Sequence, residues 1–184
     1  GWLRRQPDVL AQAVAVFNSA LEFYTRTAHP NEWAATNTDL AAALTGIAAL
    51  DGDAAKADQA VAATRLALEV FTQDTSPVNW VRATNNLGMA LSVLSGSEVS
   101  TARLEQGIAA FRAVLEVLAP DSMPLEWAKT QNNLGRALGK LWHVKQDLSL
   151  LPQAATAFES ALKVLTREHQ PVYWATAQHN LGLI

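Results

Sequence analysis

Asn86, Asn133 and Asn180 stand 47 residues apart, each directly before a Leu, and Asp39 holds the same place one step earlier. Asn85, Asn132 and His179 precede them, and Arg82, Met89, Lys129 and Arg136 lie within about a turn and a half. Asn is a mediocre helix former, so its repeated use in what reads as the middle of a helix implies a task. A carboxamide carries both donors and acceptors. It can tie one repeat to the next across a close helix contact, or pair with the backbone of an extended peptide, and the two uses are compatible. The basic side chains could add charge-assisted hydrogen bonds to an acidic ligand. Arg82, Asn85, Asn86, Met89, Lys129, Asn132, Asn133, Arg136, His179 and Asn180 are therefore the candidate peptide-binding set.

Other chemistry finds little support. His29, His143, His169 and His179 form no His-x3-His pair and no H-E-x-x-H word, so no metal ligation is expected. No G-x-S-x-G, P-loop or G-x-G-x-x-G word occurs, no cofactor is implied, and the chain does not read as an enzyme. Asp51, Asp53, Asp58, Glu98 and Asp121 fall in turns or on faces expected to be solvated. Zero cysteines exclude a disulfide scaffold, thiolate metal sites and a Cys nucleophile, and fit a reducing, cytoplasmic setting.

These residues must be positioned by helices. Of 184 residues, 34 are Ala and 25 Leu, beside 9 Gly and 7 Pro, which points to an all-α chain. The 49% hydrophobic content excludes disorder. A net charge of −3 gives no overall attraction for a phosphate backbone, so no nucleic-acid partner is expected. The longest uncharged apolar stretch, Leu40 to Leu50, has 11 residues, short of the ~20 that span a bilayer, and no membrane partner is expected.

The organising feature is a repeat. Trp33, Trp80, Trp127 and Trp174 are spaced by 47, as are Pro30, Pro77, Pro124 and Pro171. Downstream run WAATNTDLAAAL, WVRATNNLGMAL, WAKTQNNLGRAL and WATAQHNLGLI. Phe17, Thr64, Phe111 and Phe158 keep register, as do Leu21, Leu68, Leu115 and Leu162. Each unit reads as two helices. Helix A opens at the Pro, whose missing N–H costs nothing in a first turn, and spans 31–47, 77–94, 124–141 and 171–184. Helix B spans 6–27, 55–73, 100–118 and 149–168, with an apolar stripe such as Leu104, Ile108, Phe111, Leu115 and Leu118. Ser76 is expected to cap Pro77. Turns are expected at Asp51-Gly52-Asp53, Ser95-Gly96-Ser97 and Ala119-Pro120-Asp121, with Trp142 in a turn where other units carry Ala48 and Ser95. A Trp at one fixed repeat position points to packing between repeats, here against the preceding helix B, rather than to a stacking platform for bases or sugars.

Leu134-Gly135 and Leu138, followed by Ala154, Phe158 and Ala161, resemble the tetratricopeptide repeat family, and Leu87-Gly88, Leu91, Gly107, Phe111 and Val114 give a looser copy. The 47-residue period exceeds the family's usual ~34. The P-x-x-W-A-x-T-Q-N-N-L-G word is similar to longer repeats of bacterial proteins, some carrying a caspase-like CHAT domain. The resemblance implies a right-handed α-solenoid of stacked antiparallel hairpins, about eight helices in all. Units would run 1–29 (partial), 30–76, 77–123, 124–170 and 171–184 (partial), as one array that reads as a piece of a longer protein. It implies a scaffold that binds a peptide or partner domain in a concave groove. Asn86, Asn133 and Lys129 match positions that hold a peptide's terminal carboxylate in some relatives, so an acidic segment or C-terminus is the expected ligand. Self-assembly through uncapped ends is a second expectation, and a regulatory arm for an attached effector such as a CHAT-domain protease a third. Thr64, where other units have Phe, is expected to leave its slot less filled.

Overall fold

The computed structural model describes the backbone of residues 5–93 and 98–184 and the side chains of 8–93 and 101–184. The Ser95-Gly96-Ser97 turn and the Glu98 side chain lie outside the described residues. Everything described is helix or connection: α1 (Arg5–Phe23), α2 (Pro30–Asp51), α3 (Ala54–Leu68), α4 (Pro77–Ser92), α5 (Glu98–Val117), α6 (Pro124–Lys145), α7 (Leu150–Leu162) and α8 (Pro171–Gly182). The chain forms two compact units, residues 1–94 with α1–α4 and residues 95–184 with α5–α8. In each unit every helix packs on its sequence neighbour, and the even-numbered helices also touch one another, α2 on α4 and α6 on α8. That is the packing of a helical repeat.

The prolines set the four even-numbered starts. The residues before them, His29, Ser76, Met123 and Gln170, share one backbone conformation, φ −132° to −148° and ψ 60° to 72°. A following proline disfavours the helical region at these positions, whatever the side chain. Hence Ser76 sits at the cap but its hydroxyl caps nothing, contrary to expectation.

The approach to each proline is also repeated. The hydroxyls of Thr25, Thr72 and Thr166 each accept the backbone N–H three residues on, at 3.2 Å. Where the third repeat has Ala119, the Ser122 hydroxyl instead donates to the Ala119 carbonyl at 2.9 Å. These Ser/Thr turns explain why α1, α3 and α7 stop at Phe23, Leu68 and Leu162, four to six residues short of a helix B read from apolar spacing. Phe71, Leu118 and Leu165, in register just beyond α3, α5 and α7, are buried.

Two of the even helices, α2 and α6, run longer than their spacing suggested, whereas α4 and α8 stop at Ser92 and Gly182, short of the expected 94 and 184. α2 reaches Asp51 and α6 reaches Lys145, each ended by a left-handed residue at the same register, Gly52 (φ 70°) and Gln146 (φ 55°). Trp142 accordingly lies inside α6 and not in a turn.

The cores are built from small residues that let helices approach closely. In the first unit Leu40, Ala41, Leu44, Ala60, Val61, Ala90 and Leu91 form the centre, with Val14, Phe17, Leu21 and Leu87 against it. In the second, Phe111 and Phe158 are buried, and Ala128, Ala161, Leu165 and Ala177 form a cluster flanked by Trp127 and Trp174. All four repeat tryptophans are half-buried. Trp174 packs with the α7 residues that precede it, as expected, but Trp33 and Trp127 pack with the end of the helix that follows, Ala67 and Phe71 for one, Ala161 and Leu165 for the other. Helix A and helix B fold back on each other within a unit, so the first turn of A meets the last turn of B.

A Cβ on Gly135 would come 2.8 Å from the Phe158 ring, so glycine in α6 makes room for phenylalanine in α7. At the same two registers the first unit pairs Ala41 with Thr64, both fully buried. A larger residue on one helix is matched by a smaller one on its partner.

Candidate binding faces on the paired A helices

The candidate side chains fall on two faces, one formed by α2 and α4 and one by α6 and α8. On the first, Asn85 is buried, Asn86 and Met89 are half-buried and Arg82 is exposed. The Asn86 amide donates to the Thr38 backbone carbonyl at 3.0 Å, bridging α4 to α2. Arg82 reaches across the same junction to Asp39, 3.3 Å away, with both side chains about half exposed. Its charge is met within the fold.

On the second face Asn132 is buried, Lys129, Asn133 and Asn180 are half-buried, and Arg136 and His179 are exposed. Asn180 donates to the Asn132 side-chain oxygen at 3.4 Å, linking the registers that Asn86 and Thr38 link in the first unit. Lys129 bonds Glu126 one turn earlier at 3.0 Å and lies 5.1 Å above the Tyr173 ring. The Asn column thus makes bonds between repeats on both faces. Arg82 and Lys129 already have carboxylate partners.

A cavity of about 420 Å³ opens beside the second face, between α6, α8 and Phe158. Its volume falls in the range of small-ligand sites, ~300–1,000 Å³. Arg136, Lys140, Trp142, His143 and Asn180 supply its polar groups, and no acidic side chain lines it. Gly139, without a side chain, also lines it, and a Cβ there would lie 3.9 Å from the Ile184 side chain. Burial, helped by the neighbouring Arg136 charge, holds the Lys140 ammonium below the usual lysine range. The Trp142 indole N–H is buried beside the cavity with no hydrogen-bond partner. Buried donors are rarely left unsatisfied, but this one is closed off, so the cavity itself presents two basic side chains among apolar ones. A carboxylate suits that combination.

Arg136 and Asn180 in this cavity belong to the set read from sequence, whereas Lys140 and Trp142 were not singled out for binding. Both are departures from the repeat. Lys140 stands where earlier units carry Gly46 and Val93, and Trp142 where they carry Ala48 and Ser95. Such breaks in register are the signal that could have found them.

Among the described residues, no group of three or more His, Asp and Glu side chains could hold a metal ion, and no helix is long and apolar enough to cross a membrane. Comparison with protein-family models, with curated proteins and with solved structures finds no match.

Proposed function

We propose that the chain is a protein–protein interaction module, a right-handed α-solenoid of tetratricopeptide type serving as a scaffold within a bacterial, cytoplasmic protein. Its task is recognition rather than catalysis. The cavity between α6 and α8 carries the ligand preference: two basic side chains, the Asn180 amide and apolar walls, with no acidic side chain among the lining residues. An acidic peptide segment or a peptide C-terminal carboxylate is the ligand class that this chemistry favours. The resemblance to tetratricopeptide repeats points the same way, although the cations engaged differ. Arg136 lines the cavity, whereas Arg82 and Lys129 lie outside it and pair with Asp39 and Glu126.

The test is a fluorescence-anisotropy titration of labelled acidic peptides with free C termini against the same peptides amidated. Free-acid peptides should bind at micromolar strength or weaker and release with added salt, because charges in a cavity open to water are screened over ~8–10 Å. Arg136→Ala/Lys140→Ala should abolish that binding and its salt slope, and Lys129→Ala should leave both nearly intact. Equal binding of acid and amide, or an unchanged double variant, would refute the anionic preference.

A further inference from the structure

The outer face of α1 is apolar and uncovered. Val9, Val16 and Phe23 follow one another at steps of seven, hence along one face of the helix, and are 60%, 64% and 69% exposed. The same registers are covered in α3 and α7. Ala63 and Ala157, which correspond to Val16, are 6% and 4% exposed. Val70 and Val164, which correspond to Phe23, pack in the clusters that hold Trp33 and Trp127. What covers them is the preceding even helix, α2 or α6. On α1 the corresponding side chains are larger and face solvent.

α8 carries the complementary register. Trp174 corresponds to Trp33, and each is overlaid by an arginine from the connection before its helix, Arg26 at 5.7 Å and Arg167 at 5.9 Å. Arg26 also forms an ion pair with Glu69, just past the end of α3, at 2.6 Å. No described carboxylate pairs with Arg167. On α1 the residue in the register of Glu69 is Glu22.

From these matches we infer that the chain self-associates head to tail, with α8 of one copy docking on α1 of a second. The contact repeats the α2–α3 junction in trans. Glu22 of the second copy takes the place of Glu69 against Arg167, and Phe23 takes the place of Val70 beside Trp174. The two faces differ, so the contact is heterologous and adds copies beyond a dimer unless a ring closes. This inference is independent of the anionic preference of the α6–α8 cavity, since one is read by peptide titration and the other by mass.

Sedimentation velocity and light scattering from the low micromolar to the submillimolar range test it. The weight-average mass should rise with concentration. Val16→Asp places a charge at the centre of the α1 face on an exposed position, so it should abolish association while leaving helicity and melting unchanged. Glu22→Arg and Arg167→Glu, each alone, should weaken association by up to about fivefold, the range of an exposed ion pair. Mixed together, those two variants should regain the concentration-dependent association that each loses alone, because both junctions between unlike copies again set opposite charges together, whereas each variant by itself sets like charges together. A chain that stays monomeric throughout overturns the inference. So does association that Val16→Asp leaves intact, or a mixture that behaves as the sum of its parts.

Discussion

The Asn86 carboxamide nitrogen lies 3.0 Å from the Thr38 backbone oxygen, so one side chain fastens α4 to a helix 48 residues away in sequence. The carbonyl belongs to a helix whose neighbouring positions are buried. Removing the donor loses an interhelical bond and leaves a gap between closely packed helices. Asn86→Ala should cost about 1–2 kcal/mol in urea unfolding. Asn180→Ala, which loses a bond of 3.4 Å, should cost less. If both substitutions were neutral to stability, the column would have to be explained by ligand binding alone.

The Ala41–Thr64 pairing makes a steric prediction that reverses the one drawn from the repeat pattern. Thr64→Phe alone should destabilise by about 1–3 kcal/mol, the usual range for overpacking. The Cβ of Ala41 stands at the register where Gly135 leaves room for the Phe158 ring. Ala41→Gly/Thr64→Phe should recover much of the loss, and a thermal-unfolding double-mutant cycle would show favourable coupling. Additive losses would mean that the two registers do not share one space.

Gln146 ends α6 at φ 55°, in a backbone region that costs side-chain-bearing residues about 1–2 kcal/mol, whereas the corresponding residue after α2 is Gly52. Glycine relieves that strain but is freer when unfolded. Gln146→Gly should therefore stabilise by about 0.5–1 kcal/mol, measured by chemical unfolding.

Lys140 makes stability depend on pH in the alkaline range. Its pKa in the folded chain is below the ordinary 10.5, because burial and Arg136 disfavour the ammonium. Below the folded value the group is charged in both states, and holding the charge in the fold costs stability. As pH rises through the folded value towards 10.5, the unfolded chain binds more protons and stability climbs. Unfolding midpoints of the wild type and Lys140→Met, compared across that window, should converge as pH rises. A bound carboxylate should oppose the shift by favouring the ammonium.

Much of the fold was legible because it is written in local chemistry. Pro30, Pro77, Pro124 and Pro171 open α2, α4, α6 and α8. A missing N–H and a restricted preceding residue act within a few bonds. The helix ends were less legible. The apolar stripe of helix B runs on through Phe71, Leu118 and Leu165, which are buried although the helices have already stopped. Burial alone therefore could not mark the end. The Thr25, Thr72 and Thr166 turns could have done so.

By itself the sequence determined the 47-residue period, the all-helical build, the registers that face one another and the candidate Asn column. Each of these follows from spacing along one chain and from the 3.6-residue turn of a helix. Only the tertiary structure decided what the columns do. Whether Asn86 meets Thr38, whether Arg82 and Lys129 are already paired, and whether Lys140 and Trp142 border a cavity all depend on how closely helices dozens of residues apart approach. That approach is set by summed side-chain volumes, Ala41 with Thr64 and Gly135 with Phe158, and a volume match between two helices has no signature in either helix read alone.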